Sequence, residues 1–330
     1  MEKGTLLLTR EQVASLLGID ECIAAVEAAF NSYAEGKTAD PAVLGVHASN
    51  GGFHIKAAVM DCGRWFFVSK INANFPGNPK QFQLPTIQGI IAAFDAENGR
   101  PLSLMDSTEI TVIRTGAATA VAAKHLSRAD SRVITICGCG KQGRISLEAI
   151  SKVRPLERAF AFDIDPNSAE RFAEELSRQL PIEVKSVSNL AEALRESDIC
   201  VTCTTSKHHF IEKDEVPPGM FIAAVGADNE EKQEIDPKLL QASKVVVDHL
   251  GQCLAIGDLH HAVQLGLMKR EDVHAEIGEV IAKLKPGRTS AEEVIIFDST
   301  GTALQDVAAS AIVYDKAVRT GIGMMIDFST

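Results

Sequence analysis

Residues 133–147 read Val-Ile-Thr-Ile-Cys-Gly-Cys-Gly-Lys-Gln-Gly-Arg-Ile-Ser-Leu, and this stretch decides the fold. An apolar strand pattern comes first, then the spacing G-x-G-x-x-G with Gly138, Gly140 and Gly143, and then an amphipathic helical pattern. The first glycine allows a tight turn, the second lets the backbone approach a pyrophosphate, and the third permits close packing of helix on strand. Free amides at the helix start bind the anion. Because strand, glycines and helix come in the required order, the stretch predicts a Rossmann dinucleotide-binding unit.

The next predicted strand ends in Asp163, at the position where such units recognise the ribose. A carboxylate there accepts hydrogen bonds from both ribose hydroxyls and repels a 2′-phosphate, so Asp163 predicts NAD rather than NADP as the cofactor. The alternative is that Asp163 only caps the helix that starts near Pro166, a role that Asp165 could also fill.

Short apolar runs alternate with helical patterns through the rest of this region, which predicts parallel βαβ units covered on both faces. We therefore expect a Rossmann NAD-binding domain over about residues 122–305, with a last helix at about 303–320 returning toward the first domain. The predicted strands are residues 133–137, 159–162, 182–184, 199–202, 221–225, 244–247 and 294–297.

The N-terminal part has a different sequence pattern. Short β-like runs at residues 53–58, 65–71 and 86–94 are separated by turns rich in Gly, Asn and Pro. These runs predict an antiparallel sheet that ends at Gly99-Arg100-Pro101. Thr9 and Gln12 form a capping box, and Asp20 is expected to cap a second helix. The fold class is thus α/β, with a smaller α+β domain at residues 1–121, joined by a C-terminal helix at about 306–330.

Composition narrows the function classes. The chain has 330 residues, 45% hydrophobic and 23% charged, with a net charge of −11, which is typical of a globular protein and disfavours general nucleic-acid binding. No stretch approaches the ~20 apolar residues of a membrane span. Seven cysteines, an odd number, favour reduced thiols and the cytoplasm, and their spacing predicts no metal site.

Several further motifs resemble the ornithine cyclodeaminase/μ-crystallin family, which includes archaeal alanine dehydrogenase and imine reductases. The resemblance extends along essentially the whole chain and implies a homodimer that pairs through N-terminal sheets. It also implies that residues 1–121 form a substrate-binding and dimerisation domain. The motifs are Phe75-Pro-Gly-Asn, Leu84-Pro-Thr, Met105-Asp-Ser-Thr, Ile113-Arg-Thr-Gly-Ala-Ala, Gly138-Cys-Gly, Val225-Gly-Ala-Asp228, Lys232-Gln-Glu234, Ile277-Gly-Glu-Val and Phe297-Asp-Ser-Thr-Gly301.

The resemblance also implies roles for three side chains. Lys70 and Arg114 match basic residues that bind the substrate carboxylate, and burial could lower the pKa of Lys70 enough for proton exchange. Asp228, at the carboxyl end of a predicted strand, matches the family's catalytic aspartate and would handle protons on the substrate nitrogen and on attacking water. The alternatives are surface ion pairs for the two cations and a turn residue for Asp228.

The expected cofactor-binding residues combine the glycine-rich loop with segments that follow the other strands. The loops after residues 199–202 and 294–297 resemble family segments that lie along the cofactor, although both could be simple turns. The full set is Gly138, Gly140, Lys141, Gln142, Gly143, Asp163, Thr115, Thr204, Thr205, Val225, Gly226 and Ser299.

The sequence departs from the family at His54 and Lys56. Where His54 aligns, cyclodeaminases carry a Glu that holds the distal ammonium of the substrate, and alanine dehydrogenase carries an Arg. Lys56 lies two residues on and shares the same sheet face. Together with Lys70 and Arg114, these side chains disfavour ornithine and favour a substrate with a second acidic or neutral group. The alternative is that His54 or Lys56 faces solvent.

We therefore expect an NAD(H)-dependent oxidoreductase that acts on a small α-amino acid or its imine, as an amino acid dehydrogenase or an imine reductase. The first alternative is an ornithine-type cyclodeaminase, an ammonia-lyase that recycles its NAD. The second is a non-catalytic, crystallin-like ligand-binding protein.

Overall fold

A computed structural model describes residues 4–328 of the protein. The strands are β1 (Thr5–Leu8), β2 (Ala42–Ala48), β3 (Gly51–Asp61), β4 (Trp65–Asn74), β5 (Ile87–Asp95), β6 (Pro101–Asp106), β7 (Val133–Cys137), β8 (Arg158–Phe162), β9 (Glu183–Ser186), β10 (Ile199–Thr202), β11 (Phe221–Ala224), β12 (Lys244–Val247), β13 (Ala275–Glu276), β14 (Ile295–Asp298) and β15 (Met324–Ile326). The helices are α1 (Arg10–Leu16), α2 (Ile19–Ala34), α3 (Asn78–Gln81), α4 (Ser107–Leu126), α5 (Lys141–Ser151), α6 (Pro166–Gln179), α7 (Leu190–Glu196), α8 (Pro237–Ala242), α9 (Leu250–Cys253), α10 (Asp258–Gln264), α11 (Ile277–Ile281) and α12 (Ala303–Thr320).

The chain divides into two units. The first combines Met1–Arg114 with Thr302–Thr330, and the second is the continuous segment Thr115–Gly301. The predicted roles of the two domains stay predictions.

The first unit is built on a seven-stranded sheet in the order β15-β1-β6-β5-β4-β3-β2. Strands β2 to β6 are antiparallel neighbours, and β1 pairs in parallel with β6. The expectation that the sheet ends at Gly99-Arg100-Pro101 is wrong, because β6 begins at Pro101 and pairs with β5. Gly99, with φ of 78°, reverses the chain between the two strands, so the segment is a hairpin turn.

The predicted N-cap of α1 is confirmed, and the predicted N-cap of α2 is wrong. The capping box of Thr9 and Gln12 opens α1, as predicted. Asp20 does not cap α2, because the cap residue is Gly18, whose N–H donates to Glu21 Oε1 at 2.8 Å. Asp20 lies in the first turn, where its charge favours the positive end of the helix.

The two faces of the first sheet differ sharply. On one face, alternate residues of β3 and β4, from Lys56 to Met60 and from Phe66 to Lys70, are buried, and α12 packs against these strands. On the other face, Leu44, Ile71 and Ile90 form an apolar row with Ile55 and are 36 to 56% exposed. The chain therefore covers one side of this sheet and leaves a hydrophobic side open.

The second unit contains an eight-stranded parallel sheet in the order β13-β12-β14-β11-β10-β7-β8-β9. The chain moves outward from β7 to β9 and then crosses to β10 on the other side of β7. This crossing point is where open α/β sheets bind ligands. The predicted Rossmann fold and the α/β class are confirmed.

Within residues 4–328, no helix combines the length and the hydropathy of a bilayer-spanning segment.

Candidate active site

The glycine-rich loop connects β7 to α5. Gly138 has φ of 104°, which a residue with a side chain rarely adopts, and a Cβ at Gly143 would overlap the carbonyl oxygen of Gly138. A Cβ at Gly140 would meet nothing within 4 Å, so the backbone there faces open space. Gly140 is the N-cap of α5 and makes no side-chain hydrogen bond to the first turn, which is the positive end of the helix dipole.

These observations fit the pyrophosphate of a dinucleotide. Lys141 and Gln142 are the first two residues of α5, with Lys141 exposed and Gln142 half-buried. The positive end of the α5 dipole adds to the attraction for an anion. We propose that these residues and the three loop glycines hold NAD.

Asp163 and Asp165 have separate tasks after β8. Asp165 caps α6, accepting from the N–H of Asn167 at 3.2 Å and from the hydroxyl of Ser168 at 2.6 Å. The two Asp163 oxygens accept from the N–H of Cys139 at 2.8 Å and of Asp165 at 2.9 Å. Asp163 is therefore not the helix cap, and its carboxylate lies against the glycine-rich loop. Ile164, which sequence reasoning missed, is 98% exposed beside it.

The remaining predicted cofactor residues of this unit follow the carboxyl ends of its strands, except Thr115 on α4. Thr204 donates its N–H and its hydroxyl to Glu234, and the hydroxyl of Ser299 donates to Asp248 at 2.9 Å. Thr205 is exposed, Val225 is half-buried, and Gly226 and Thr115 are buried. The structure thus brings the loops after β10, β11 and β14 to one sheet edge.

Buried carboxylates hold this edge together. Glu234 accepts from the N–H of Gly226 at 2.9 Å and from Thr202 at 2.7 Å, in addition to Thr204. Asp258 accepts from the N–H groups of Glu234 at 2.7 Å and Ile235 at 2.8 Å. Burial, reinforced by Glu234, raises the pKa of Asp258 to about 8. Sequence reasoning quoted Glu234 in a motif and assigned it no role; its buried setting shows that it shapes the loops.

Asp228 lies in the loop after β11, where its carboxylate is exposed. Lys232 Nζ is 2.7 Å from Asp228 Oδ1. The side chain of Asn229 accepts the N–H of Lys232 at 3.1 Å, and His261 Nε2 lies 2.8 Å from the Lys232 carbonyl oxygen. The loop that carries Asp228 is therefore fixed by local hydrogen bonds.

A cluster of basic side chains lies on the covered face of the first sheet. Lys56 and Lys70 are directly opposite each other on β3 and β4, and both are buried. Lys70 Nζ is 2.8 and 2.7 Å from the two oxygens of Asp306 on α12, and Arg114 Nε is 3.1 Å from the same carboxylate. Arg114 Nη1 also donates to Gln305 at 2.6 Å. We call Lys56, Lys70, Arg114 and Asp306 the cation cluster.

The charges of the cation cluster act strongly on one another. Burial, followed by the charge of Arg114, lowers the pKa of Lys70 to about 7, against the opposing charge of Asp306. Burial opposes ionisation of Asp306, but Lys70 and Arg114 outweigh it and lower the pKa of that carboxyl. Lys70 and Arg114 thus share one carboxylate, and two buried cations placed side by side are suited to an anionic ligand.

Sequence reasoning placed Lys70, Arg114 and Lys56 together but missed Asp306. The only signal is an acidic residue inside the apolar pattern of α12, a position where a charge needs a partner. His54 shares the face of Lys56 but is exposed. Within residues 4–328, no group of three or more His, Cys, Asp or Glu side chains is arranged to hold a metal ion.

Comparisons with known proteins agree with the motifs. The sequence profile of the ornithine cyclodeaminase/μ-crystallin family matches residues 3–321. A solved archaeal alanine dehydrogenase dimer with bound NAD is 40% identical, with a TM-score of 0.94 and coverage of 98% of this chain and 99% of that one.

Two further solved relatives are imine-reducing enzymes by name. The Δ1-pyrroline-2-carboxylate reductase of Thermococcus litoralis, in complex with NADH and L-proline, is 33% identical, with a TM-score of 0.91 and coverage of 98% and 100%. The iminosuccinate reductase of Paracoccus denitrificans, in complex with NAD⁺, is 28% identical, with a TM-score of 0.91 and coverage of 99% and 100%. The resemblance inferred from the motifs is confirmed.

The position of Asp163 leads to a prediction about cofactor choice. Asp163→Ser should weaken NAD binding at least about tenfold and reduce discrimination against NADP, because the ribose acceptor and the repulsion of a 2′-phosphate are both lost. Calorimetric titration with both dinucleotides measures this. Asp165→Ser is the matched control, since it alters the α6 cap and should keep the NAD preference. An unchanged preference in Asp163→Ser would leave Asp163 with a structural role only.

Proposed function

Because the chain belongs to the ornithine cyclodeaminase/μ-crystallin family, we propose that it is an NAD(H)-dependent oxidoreductase acting on a small α-amino acid or the corresponding imine. The observation that carries this proposal is the cation cluster, in which Lys70 and Arg114 are buried side by side around Asp306. A guanidinium and an ammonium so placed bind an α-carboxylate and fix its orientation. The names of the three solved relatives support the same reaction class.

Each residue of the site then has a defined task. NAD, held at the glycine-rich loop, supplies the acceptor or donor of the hydride at the substrate Cα. Lys70 and Arg114 bind the α-carboxylate and so restrict how Cα is presented. Asp228 accepts the proton of the substrate nitrogen or of the water that adds to the imine, and returns it in the reverse direction.

The cation cluster also bears on the cyclodeaminase alternative. A cyclodeaminase must hold a distal ammonium on its substrate, which requires a negative or neutral group at that place. Lys56 occupies the neighbouring position with a buried ammonium beside Lys70. Like charges in a site shielded from water repel one another, so the cluster favours an oxidoreductase without a diamino substrate.

A two-way activity screen tests the proposed function. Purified protein is given NAD with alanine, aspartate, proline or ornithine, and NADH with keto acids plus ammonium or with cyclic imines, while NADH absorbance is followed. We expect net change of NADH with at least one pair. Release of ammonia from ornithine without net change of NADH would instead make the protein a cyclodeaminase.

Asp228→Asn should retain NAD binding and lose turnover by at least about 10³-fold, because the amide cannot accept the proton. Glu231→Gln is the control, since it lies in the same loop and pairs with Lys207 rather than Lys232. Turnover near the wild-type rate in Asp228→Asn would remove the role assigned to that carboxylate.

We further propose that the substrate carries a second acidic group, which Lys56 binds. Lys56 is buried directly opposite Lys70 on the neighbouring strand, so its ammonium can contact a second carboxylate of a substrate whose α-carboxylate is bound by Lys70 and Arg114. A dicarboxylic amino or imino acid carries such a second carboxylate.

Lys56→Met should lower kcat/KM for a dicarboxylic substrate about 100-fold and shift the preference toward monocarboxylic ones, because a charge-assisted contact to the second carboxylate is lost. The ratio of kcat/KM for aspartate and alanine measures this, with Lys80→Met on α3 as the control. An unchanged ratio would contradict the proposal for Lys56.

We also propose a homodimer formed by the open apolar face of the first sheet. That face presents Leu44, Ile55, Ile71 and Ile90 in one cross-strand row, and large exposed apolar patches mark interaction surfaces. The solved archaeal relative is a dimer.

Ile71→Glu should convert the dimer into a monomer, because a carboxylate would be buried at the interface without a partner. Sedimentation velocity measures this, and Leu265→Glu, at an exposed apolar residue of the second unit, is the control that should leave the dimer intact. A monomeric wild-type protein, or an unchanged dimer in Ile71→Glu, would contradict the proposed interface.

A further inference from the structure

Asp306 pairs with the two cations that the proposed function assigns to the substrate carboxylate. Both of its oxygens lie within 2.8 Å of Lys70 Nζ, and one lies 3.1 Å from Arg114 Nε. Its side chain is fully buried, so this carboxylate is fixed in place by α12 rather than supplied by solvent. The proposed function gives Lys70 and Arg114 tasks and leaves Asp306 without one.

We propose that Asp306 is a positioning residue that favours the protonated form of Lys70 before substrate binds, so that Lys70 can bind the carboxylate of an arriving substrate. The proposal rests on the function proposed above for Lys70. Asp306 acts through Lys70 and need not contact the substrate itself.

The surroundings of Lys70 show why a counter-charge is needed. Lys56 faces Lys70 from β3 and Arg114 faces it from α4, and both oppose its protonation. Strand β5 contributes only Ile91 at the paired position. Helix α2 contributes the thiol of Cys22 near Arg114 and Asp306.

The pKa values of Cys22 and Lys70 show which group supplies negative charge near Lys70. Burial raises the pKa of the Cys22 thiol to about 12, so this group is neutral and adds no negative charge. Asp306 is the group in this set that favours the ammonium form of Lys70, whose pKa burial and Arg114 have lowered to about 7. Without Asp306, the pKa of Lys70 would be lower still, so a larger fraction of Lys70 would be a neutral amine at neutral pH and would bind a carboxylate poorly.

The proposed role of Asp306 predicts how activity changes with pH. Only the protonated form of Lys70 attracts the substrate, so kcat/KM should fall as the pH rises through the pKa of Lys70 in the free enzyme. A bound carboxylate adds a second negative charge and raises that pKa, so kcat should persist to higher pH than kcat/KM. Replacing a residue that only stabilised the fold would not move the alkaline limb of the kcat/KM profile.

The test is the pH profile of Asp306→Asn. We expect the alkaline limb of its kcat/KM profile to move to lower pH by at least about one unit, with a tenfold or greater increase in KM at neutral pH. Asp306→Glu should restore much of the limb because it returns the charge. Asp315→Asn, on the same helix, is the matched control and should keep the wild-type limb. An unchanged limb in Asp306→Asn would overturn the proposal.

A second measurement needs no turnover. The free energy of unfolding of the wild type, minus that of Lys70→Met, should grow as the pH rises above about 7. Above that pH Lys70 loses its proton in the folded protein but keeps it in the unfolded chain, so the unfolded chain binds more protons. In an Asp306→Asn background, that growth should begin at lower pH. If it begins at the same pH, Asp306 does not set the charge of Lys70.

The two sets of measurements separate the possible failures. Absence of turnover with every amino and imino acid would contradict the proposed function, and the unfolding comparison would still test Asp306. Turnover with a normal pH limb in Asp306→Asn would contradict the role of Asp306 alone.

Discussion

The burial of three basic side chains on one face of a small sheet is the constraint on which the first unit depends. Removing an ammonium or a guanidinium from water costs several kcal/mol, and Lys56 and Lys70 repel each other across neighbouring strands. Asp306 offsets part of this cost, and it reaches the sheet only because α12 packs on β3 and β4. The last helix of the chain is therefore both a wall of the core and a part of the candidate site.

Buried carboxylates also fix the loops of the second unit. Polar groups in loops need hydrogen-bond partners when they are buried, and here side-chain carboxylates provide them. Glu234 accepts from Gly226 and Thr204, and Asp248 accepts from Ser299 and Gly301. Negative charge thus shapes the carboxyl edge of the parallel sheet, where we propose that the dinucleotide binds.

Local patterns predicted much of this protein, and long-range partners account for what was missed. The glycine-rich loop, the parallel strands and the capping box of Thr9 are properties of neighbouring residues, so their spacing reveals them. Asp20 was assigned the wrong place because Gly18, with no side chain to signal a cap, opens α2 through Glu21. Asp306 could not be assigned a role, since its partner Lys70 lies 236 positions away along the chain.

The discontinuous composition of the first unit has a consequence for how the protein is made. The segment Thr115–Gly301 is continuous and can fold as soon as it has left the ribosome, whereas the first sheet cannot acquire α12 until that whole segment has been synthesised. During this interval Lys70 and Arg114 lack the carboxylate of Asp306 that offsets the cost of their burial. We therefore expect the second unit to fold first and these two cations to become buried last, when the chain is nearly complete.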